Sequence, residues 1–310
     1  MRRNSQRKTA LMSALIFASA VLLSSVSLSA QTKESVSYDP SSAIEVLAGD
    51  GPSGIASDGA NVWVTSQFGN SVVKIGPGGA VLGRFAVGRN PTGIASDGVN
   101  VWVANNADGT VTKLSLDGTV LGTYAVGKGP QAILINGKTI TVANEKDNTV
   151  TSLSAAGAVL GTYAVGKRPV ALASDGSNTW VANNKGNTVT KLSAAGAVLG
   201  TYPVGDGPAG LAFDGKSIWV TNFFSRTVMK LNPADGSVIA KIAVGDGPSG
   251  IALNGNDVLV VNNGDNSISV MTGDGTVFNT LKVGISPYNL AITPNGVWVT
   301  NSGSDSVSRR

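Results

Sequence analysis

A repeat of about 39 residues organises this sequence and limits the folds open to it. Prolines recur at intervals of 39, 39, 39, 39, 40 and 39 residues, at Pro52, Pro91, Pro130, Pro169, Pro208, Pro248 and Pro287. Each of these seven units contains short segments rich in Val, Ile, Thr and aromatic residues, separated by Gly, Asn or Asp. Such segments are typical of β-strands joined by tight turns. The sequence therefore predicts a small antiparallel sheet repeated seven times.

The order of segments within a unit predicts how its strands are connected. A D-G or N-G pair, such as Asp58-Gly59, follows the first segment in six units, and we expect type I′ hairpin turns there. No unit shows a helical period. Four strands in about 40 residues correspond to one blade of a β-propeller. We predict an all-β, seven-bladed β-propeller of four-stranded antiparallel blades.

The two ends of the repeat region predict how the ring closes. The seventh unit supplies only three strands, Tyr288 to Thr293, Gly296 to Asn301 and Ser306 to Arg309. The segment Ala43 to Ala48 matches the end of a fourth strand, and we expect it to complete the last blade. This pairing would cover sheet edges that an open solenoid leaves bare. The predicted propeller therefore spans residues 43–310.

The first and second segments of each unit differ in the size of their side chains. The first segments carry small residues, such as Gly54 and Ala56, that can crowd around a central axis. Five second segments carry a tryptophan at one position, namely Trp63, Trp102, Trp180, Trp219 and Trp298. The other two units have Thr141 and Leu259 at that position. We interpret the tryptophans as packing between neighbouring blades.

The first 30 residues have the layout of a signal peptide. Four basic residues precede an apolar run from Ala10 to Leu23, and small residues from Ser24 to Ala30 offer cleavage points. We predict a signal peptide over 1–30 and a short linker over 31–42. The sequence has no cysteine, hence no disulfide framework and no lipidated Cys. We expect an exported, monomeric protein without a membrane anchor, periplasmic or extracellular.

The charge of the sequence is concentrated in that leader. Residues 1–30 hold four of the 23 Lys and Arg and none of the 19 Asp and Glu, so the remainder balances 19 against 19. A chain of about zero net charge lacks the compositional support for binding nucleic acid.

The motifs resemble those of known bacterial propellers. The segments "GPSGIASDG", "VWVTN" and "NTVTKLSAAGAVLGTY" are similar to YVTN/NHL-type propellers and to the related streptogramin B (virginiamycin B) lyase group, over residues 43–310. The motifs consist mostly of turn glycines and core positions, so the resemblance implies the fold more than an activity.

The lyase resemblance implies histidines and glutamates acting with a magnesium ion to open a cyclic lactone. This sequence has no histidine, and the residues that follow the repeat prolines are Ser53, Thr92, Gln131, Val170, Ala209, Ser249 and Tyr288. Zinc or copper would need Cys or His, and no D-x-D-x-D-G calcium loop occurs. We therefore expect no metal, no cofactor and no catalytic residues.

A ligand of a propeller usually meets the face formed by the second-to-third and inter-blade loops. The second strands end on polar residues there, predicted to form a ring at the channel mouth: Ser66, Asn105, Asn144, Asn183, Asn222, Asn262 and Asn301. These amides either contact a polar ligand or bond the backbone of their own loops.

Departures from the repeat add two further groups of candidate binding residues. Phe68, Phe223, Phe224 and Tyr288 replace small or polar residues and form an apolar contact patch or fold over the blade edges. The inter-blade loops carry Arg89, Lys128, Lys167 and Arg168 on one arc and Asp206, Asp246 and Asp50 on the other. These charges orient an anionic or dipolar ligand or are simply solvated.

These observations favour a non-catalytic binding scaffold whose loop face takes a protein, a glycan or a small molecule. One alternative is a lyase-like enzyme with a different acid–base set, such as Glu145, Lys146 and Asp147. Another is a single-stranded nucleic-acid binder that uses the basic arc beside aromatic side chains.

Overall fold

The computed structural model describes residues 44–310, which form seven four-stranded antiparallel sheets arranged in a ring. The predicted all-β, seven-bladed propeller is confirmed. The predicted signal peptide and linker lie outside the described residues. No helix among residues 44–310 is long and apolar enough to cross a membrane.

Each repeat forms one blade, with its strands in chain order from the central channel to the rim. Blade 1 contains β2 (Pro52–Ser57), β3 (Val62–Ser66), β4 (Ser71–Ile75) and β5 (Val81–Ala86). Blade 2 contains β6 (Pro91–Ser96), β7 (Asn100–Asn105), β8 (Thr110–Ser115) and β9 (Val120–Ala125). Blade 3 contains β10 (Pro130–Asn136), β11 (Thr139–Asn144), β12 (Thr149–Ser154) and β13 (Val159–Ala164). Blade 4 contains β14 (Pro169–Ser174), β15 (Asn178–Asn183), β16 (Thr188–Ser193) and β17 (Val198–Pro203). Blade 5 contains β18 (Pro208–Phe213), β19 (Ile218–Asn222), β20 (Thr227–Leu231) and β21 (Val238–Ala243).

Blade 6 contains β22 (Pro248–Asn254), β23 (Asp257–Asn262), β24 (Ser267–Thr272) and β25 (Val277–Lys282). Blade 7 contains β26 (Pro287–Thr293), β27 (Gly296–Asn301), β28 (Ser306–Arg309) and, as its outer strand, β1 (Ile44–Leu47). A single 3-10 turn, Asn184–Gly186, interrupts the strands of the described region.

The closing strand comes from the N-terminal end of the described residues. β1 pairs antiparallel with β28, with Val46 opposite Val307. Ala48 is fully buried in the core between blades 7 and 1, and Ser306 donates a hydrogen bond to Glu45 at 2.6 Å. The predicted closure of the last blade is confirmed, and the strand ends at Leu47, one residue before the predicted Ala48.

The large side chains of the second strands fill the spaces between blades, as predicted. All five tryptophans are buried, and Trp63 packs against Ile94, Val101 and Val103 of the next blade. Lys74 lies over the Trp63 ring, 5.0 Å from its centroid, and donates to the carbonyl of Leu116 in the following blade at 2.7 Å. Blade 1 is thus joined to blade 2 by both apolar burial and a partly buried cation, and a Lys or Arg lies over the tryptophan ring in four further blades.

The turns between the first and second strands differ from the predicted type I′. Gly59 has φ of +98°, but Asp58 does not have a positive φ. The Asp58 carboxylate instead accepts hydrogen bonds from the N–H groups of Ala60 and Asn61. A side chain that satisfies its own turn fixes the first residue at negative φ, so only the glycine needs the left-handed region.

The same aspartate also anchors the tryptophan. Trp63 Nε1 donates to Asp58 at 2.8 Å. Burial disfavours the charged carboxylate, but the hydrogen bonds from Trp63, Asn61 and Ala60 outweigh it and lower the pKa of Asp58. Blades 4 and 5 repeat this Trp–Asp bond, whereas Trp102 Nε1 of blade 2 has no partner among the described residues.

Candidate functional site: the mouth of the central channel

The first strands of all seven blades surround a cavity on the axis of the ring. Its volume is about 410 Å³, within the range of sites that hold small organic molecules. Its walls near the axis are small residues, as predicted: Gly54, Gly93, Ala132, Ala171, Gly210 and Gly250. Several of these residues lie very close to the neighbouring blade. A Cβ added to Gly54, for example, would come within 2.2 Å of the Thr92 carbonyl oxygen. Gly54 therefore cannot carry a side chain without a shift of the strands, whereas blades 3 and 4 have room for Ala132 and Ala171.

The amide ring predicted at the mouth does not face the cavity. The side chains of Ser66, Asn105, Asn144, Asn183, Asn222, Asn262 and Asn301 are all buried. Asn144 donates from Nδ2 to the hydroxyls of Thr149 and Thr151, at 3.1 and 2.9 Å, on the next strand of its own blade. None of these residues lines the cavity, and Asn144 instead stabilises its own second-to-third loop. The other interpretation is that these amides bond the backbone of their own loops. The structure shows local bonds of this kind, but the main acceptors are hydroxyls instead of backbone groups.

In some blades the residue that follows this position lines the cavity, as Asn184 and Phe223 do. In three blades it is an asparagine whose Nδ2 donates to the next proline carbonyl, and these residues are Asn106, Asn184 and Asn263. Blades 3 and 5 replace it with Glu145 and Phe223. The sequence shows both replacements, because Glu145 and Phe223 depart from the repeat at the position one residue after the predicted ring.

Glu145 organises a polar wall beside the cavity. Its carboxylate accepts from Arg168 Nε at 3.1 Å and from Asn106 Nδ2 at 3.3 Å. Asn106 also donates to Gln131 Oε1 at 3.3 Å and accepts from Lys146 Nζ at 3.2 Å. Glu145 is mostly buried, with 15% of its side chain exposed, whereas Arg168 is 47% exposed. The network therefore holds one carboxylate in place and leaves part of one guanidinium facing solvent.

Arg168 stands at an unusual backbone position. The residue before each repeat proline is left-handed, and in four of the other six blades it is glycine: Gly51, Gly129, Gly207 and Gly247. Arg168 has φ of +57° there. A residue with a Cβ costs roughly 1–2 kcal/mol in this conformation. The protein thus accepts backbone strain at a position where its own repeat offers a strain-free residue, which is a pattern associated with functional sites.

Three of the four predicted aromatic residues border the cavity. Phe223 and Phe224 form an edge-to-face pair with centroids 5.2 Å apart, and Phe224 is 71% exposed. Tyr288 reaches from blade 7 to the opposite side of the ring, where Gln131 of blade 3 donates to its hydroxyl at 3.4 Å. Phe68 is exposed but lies outside the cavity, against Gly51 of its own blade.

The Tyr288 hydroxyl lies in a crowded part of the mouth, although the residue as a whole is 38% exposed. Burial of the hydroxyl, with the nearby Glu145 carboxylate, raises the pKa of Tyr288 above its ordinary value. The phenol therefore stays protonated at neutral pH and serves there as a hydrogen-bond donor and acceptor, not as a base.

The predicted basic arc is partly neutralised by neighbouring acids. Arg89 Nε binds Asp108 at 2.6 Å, and Arg168 binds Glu145. Lys128 and Lys167 are exposed and do not line the cavity. On the acidic arc, Asp246 accepts from Arg226 at 2.8 Å, and Asp206 and Asp50 are exposed. The structure therefore brings only Arg168 of the four predicted cations to the cavity.

The acid–base set proposed for a lyase-like enzyme does not assemble. Glu145 borders the mouth, but Asp147 accepts from the Lys128 backbone N–H at 2.7 Å, away from the cavity. Lys146 is bound to Asn106. Among residues 44–310, no three acidic side chains come together in a cluster that could hold a metal ion.

Comparisons with known proteins identify similar folds only. No protein-family model matches this sequence, and no curated protein does. A streptogramin B lyase structure is 18% identical, with a TM-score of 0.77 over 86% of this chain and 96% of that chain. Virginiamycin B lyase from Staphylococcus aureus gives the same identity and TM-score over 86% and 98% of the two chains. Hydrazine synthase from Kuenenia stuttgartiensis is 19% identical, with a TM-score of 0.76 over 83% and 94%. At such identities the likeness establishes the propeller fold and not an activity.

Proposed function

We propose that this protein is an exported, non-catalytic binding module that takes its ligand at the mouth of the central channel. The ligand is a small organic molecule, or a projecting group of a protein or glycan, that fits the cavity beside Arg168, Phe223, Phe224 and Tyr288.

The convergence of the exceptions to the repeat is the observation that carries this proposal. Glu145, Arg168, Phe223 and Tyr288 come from blades 3, 4, 5 and 7, or from the loops entering them. The last three line one cavity, and Glu145 orients Arg168. Fold requirements act alike on every repeat, so they do not account for four departures that meet at one place. A concave site with aromatic walls and a few fixed polar groups is typical of ligand binding.

The chemistry of the mouth supports binding over catalysis. The sequence contains no histidine. Glu145, the carboxylate beside the cavity, is occupied by Arg168 and Asn106. Near-neutral charge outside the leader and the ion pairs of Arg89 and Arg168 favour a small ligand over a nucleic acid.

Replacing the edge-to-face phenylalanine pair should abolish binding without unfolding the propeller. We expect Phe223→Ser/Phe224→Ser to weaken compounds that bind the wild type by tenfold or more, since each lost apolar contact is worth about 1 kcal/mol or more. The measurement is isothermal titration calorimetry with hits from a thermal-shift screen of soluble metabolites.

Phe68→Ser is the matched control. Phe68 is as exposed as Phe224 and lies in the equivalent loop of blade 1, but it lies outside the cavity. It should retain wild-type affinity. Hits that bind the double variant as tightly as the wild type would place the ligand elsewhere and refute the proposal.

The enzyme alternative keeps one supporting observation, the Glu145 carboxylate close to the Tyr288 hydroxyl in a fold shared with lyases. The probe is quinupristin, which is present in a structure of virginiamycin B lyase with a TM-score of 0.76 to this chain. We expect purified protein, with and without magnesium, to leave quinupristin unchanged by liquid chromatography. Conversion that Glu145→Ala eliminates would replace the binding proposal with a lyase-like activity.

A further inference from the structure

Arg168 is the only cationic side chain that lines the mouth cavity within residues 44–310. Glu145 binds its Nε, and Nη1 makes one long contact of 3.5 Å to Asn184 Oδ1. Nη2 has no hydrogen-bond partner in that part of the chain. The end of the guanidinium that carries both Nη atoms is therefore available to a ligand, while its other edge is fixed.

A guanidinium held in this way is prepared for a planar anion. Its two terminal N–H groups can bind the two oxygens of a carboxylate side by side, which gives short, charge-assisted hydrogen bonds. Glu145 sets the plane of the fork before the ligand arrives, so little side-chain freedom is lost on binding.

The remaining walls describe the other part of the ligand. Phe223, Phe224 and Tyr288 supply aromatic surface on blades 5 and 7, and the small residues of the first strands leave depth below them. Such walls favour a flat apolar group over a sugar, which would need several free hydrogen-bonding groups. The amides that line the cavity already have partners: Gln131 bonds Asn106 and Tyr288, Asn184 donates to the Pro208 carbonyl, and Asn289 Oδ1 accepts from the Leu290 N–H.

We infer that the mouth binds a carboxylate attached to an aromatic or similarly flat apolar group, with Arg168 holding the carboxylate and Phe223 and Phe224 covering the ring. This inference rests on the proposed binding function and narrows its ligand class. The carboxylate belongs either to a small aromatic acid or to the C-terminus of a peptide that ends in an aromatic residue, because both present the same group.

The experiment compares acids with their own amides. Calorimetric titrations would use N-acetylphenylalanine, indole-3-acetate and a tetrapeptide ending in phenylalanine, each beside its amidated form. At least one acid should bind saturably, and its amide should bind tenfold more weakly or worse, as expected for loss of a charge-assisted hydrogen bond. The preferred source of the carboxylate follows from which acid binds most tightly.

Arg168→Gly separates binding from folding, because glycine is the residue that four other blades use at this position. The variant should fold, with its unfolding midpoint close to that of the wild type, and lose the preference for acid over amide. Asn90→Gly makes the same backbone change at the entrance to blade 2, outside the cavity, and should leave the preference intact.

Either of two kinds of result would overturn the inference. One is that no acid of the set binds at 10 mM, a limit of about 3 kcal/mol in affinity. The other is that acid and amide bind equally well or that Arg168→Gly retains the preference. Neutral compounds that bind the wild type and fail with Phe223→Ser/Phe224→Ser would keep the proposed function while removing this ligand class.

Discussion

A chain that begins at residue 49 should unfold at a clearly lower temperature than one that begins at residue 43. The shorter chain lacks β1, so β28 becomes an open sheet edge, and the core between blades 7 and 1 loses Val46 and Ala48. Burying two such apolar side chains together with the paired backbone is worth about 3 kcal/mol. For a domain of this size that loss lowers the unfolding midpoint by roughly 6–12 °C. Differential scanning calorimetry on both chains gives the comparison.

A peptide in trans provides the control for this deletion. A synthetic peptide covering residues 43–49 should raise the midpoint of the shorter chain in a concentration-dependent manner, because it binds the folded ring and not the unfolded chain. The same peptide with Val46→Asp should not do so, since Val46 packs against the core. Equal midpoints for the two chains would show that closure by β1 contributes nothing to stability.

Removing one tryptophan between blades should be the most damaging single substitution. Trp219 is fully buried among Val258, Val260 and Met271 of the next blade. Its Nε1 donates to Asp214 at 2.7 Å, and Lys230 lies 4.7 Å from its ring centroid. We expect Trp219→Ala to cost about 4 kcal/mol, as is usual for a large aromatic removed from a core.

Trp219→Leu is the matched variant, because blade 6 already has leucine at the equivalent position, where Leu259 is fully buried. Leucine refills part of the space, so the cost should be about half that of alanine. Urea unfolding followed by far-UV circular dichroism gives both values. Equal costs for the two variants would mean that the indole hydrogen bond and the cation, and not the packed volume, determine the contribution of this position.

The fold could be predicted because every repeat obeys the same local constraints. Pro52 and its equivalents and the turn glycines restrict the backbone in all seven units, and the buried tryptophans restrict the packing in five of them. Errors arose where side chains compete for the backbone. At Asp58 the carboxylate bonds its own turn and changes the turn type, and the periodic pattern contains no sign of that choice.

The site was predicted less well because a shift of one residue along a strand end reverses what its side chain faces. Asn144 ends its strand with its amide buried, whereas Glu145, the next residue, lies beside the channel. The aromatic exceptions Phe223, Phe224 and Tyr288 were found from the sequence alone, since a departure from a strong repeat is visible without coordinates. Their meeting across the ring with Arg168 was not visible.

The sequence by itself determined the number of blades, their strand order and the strand that closes the ring, because these follow from local periodicity and from counting strands. Only the tertiary structure decided which polar residues face the cavity and which charges remain free. Those outcomes depend on partners from blades far apart in the chain, such as Gln131 and Tyr288, which are separated by 157 positions. Contacts of that kind arise from closure of the ring, and no local pattern encodes them.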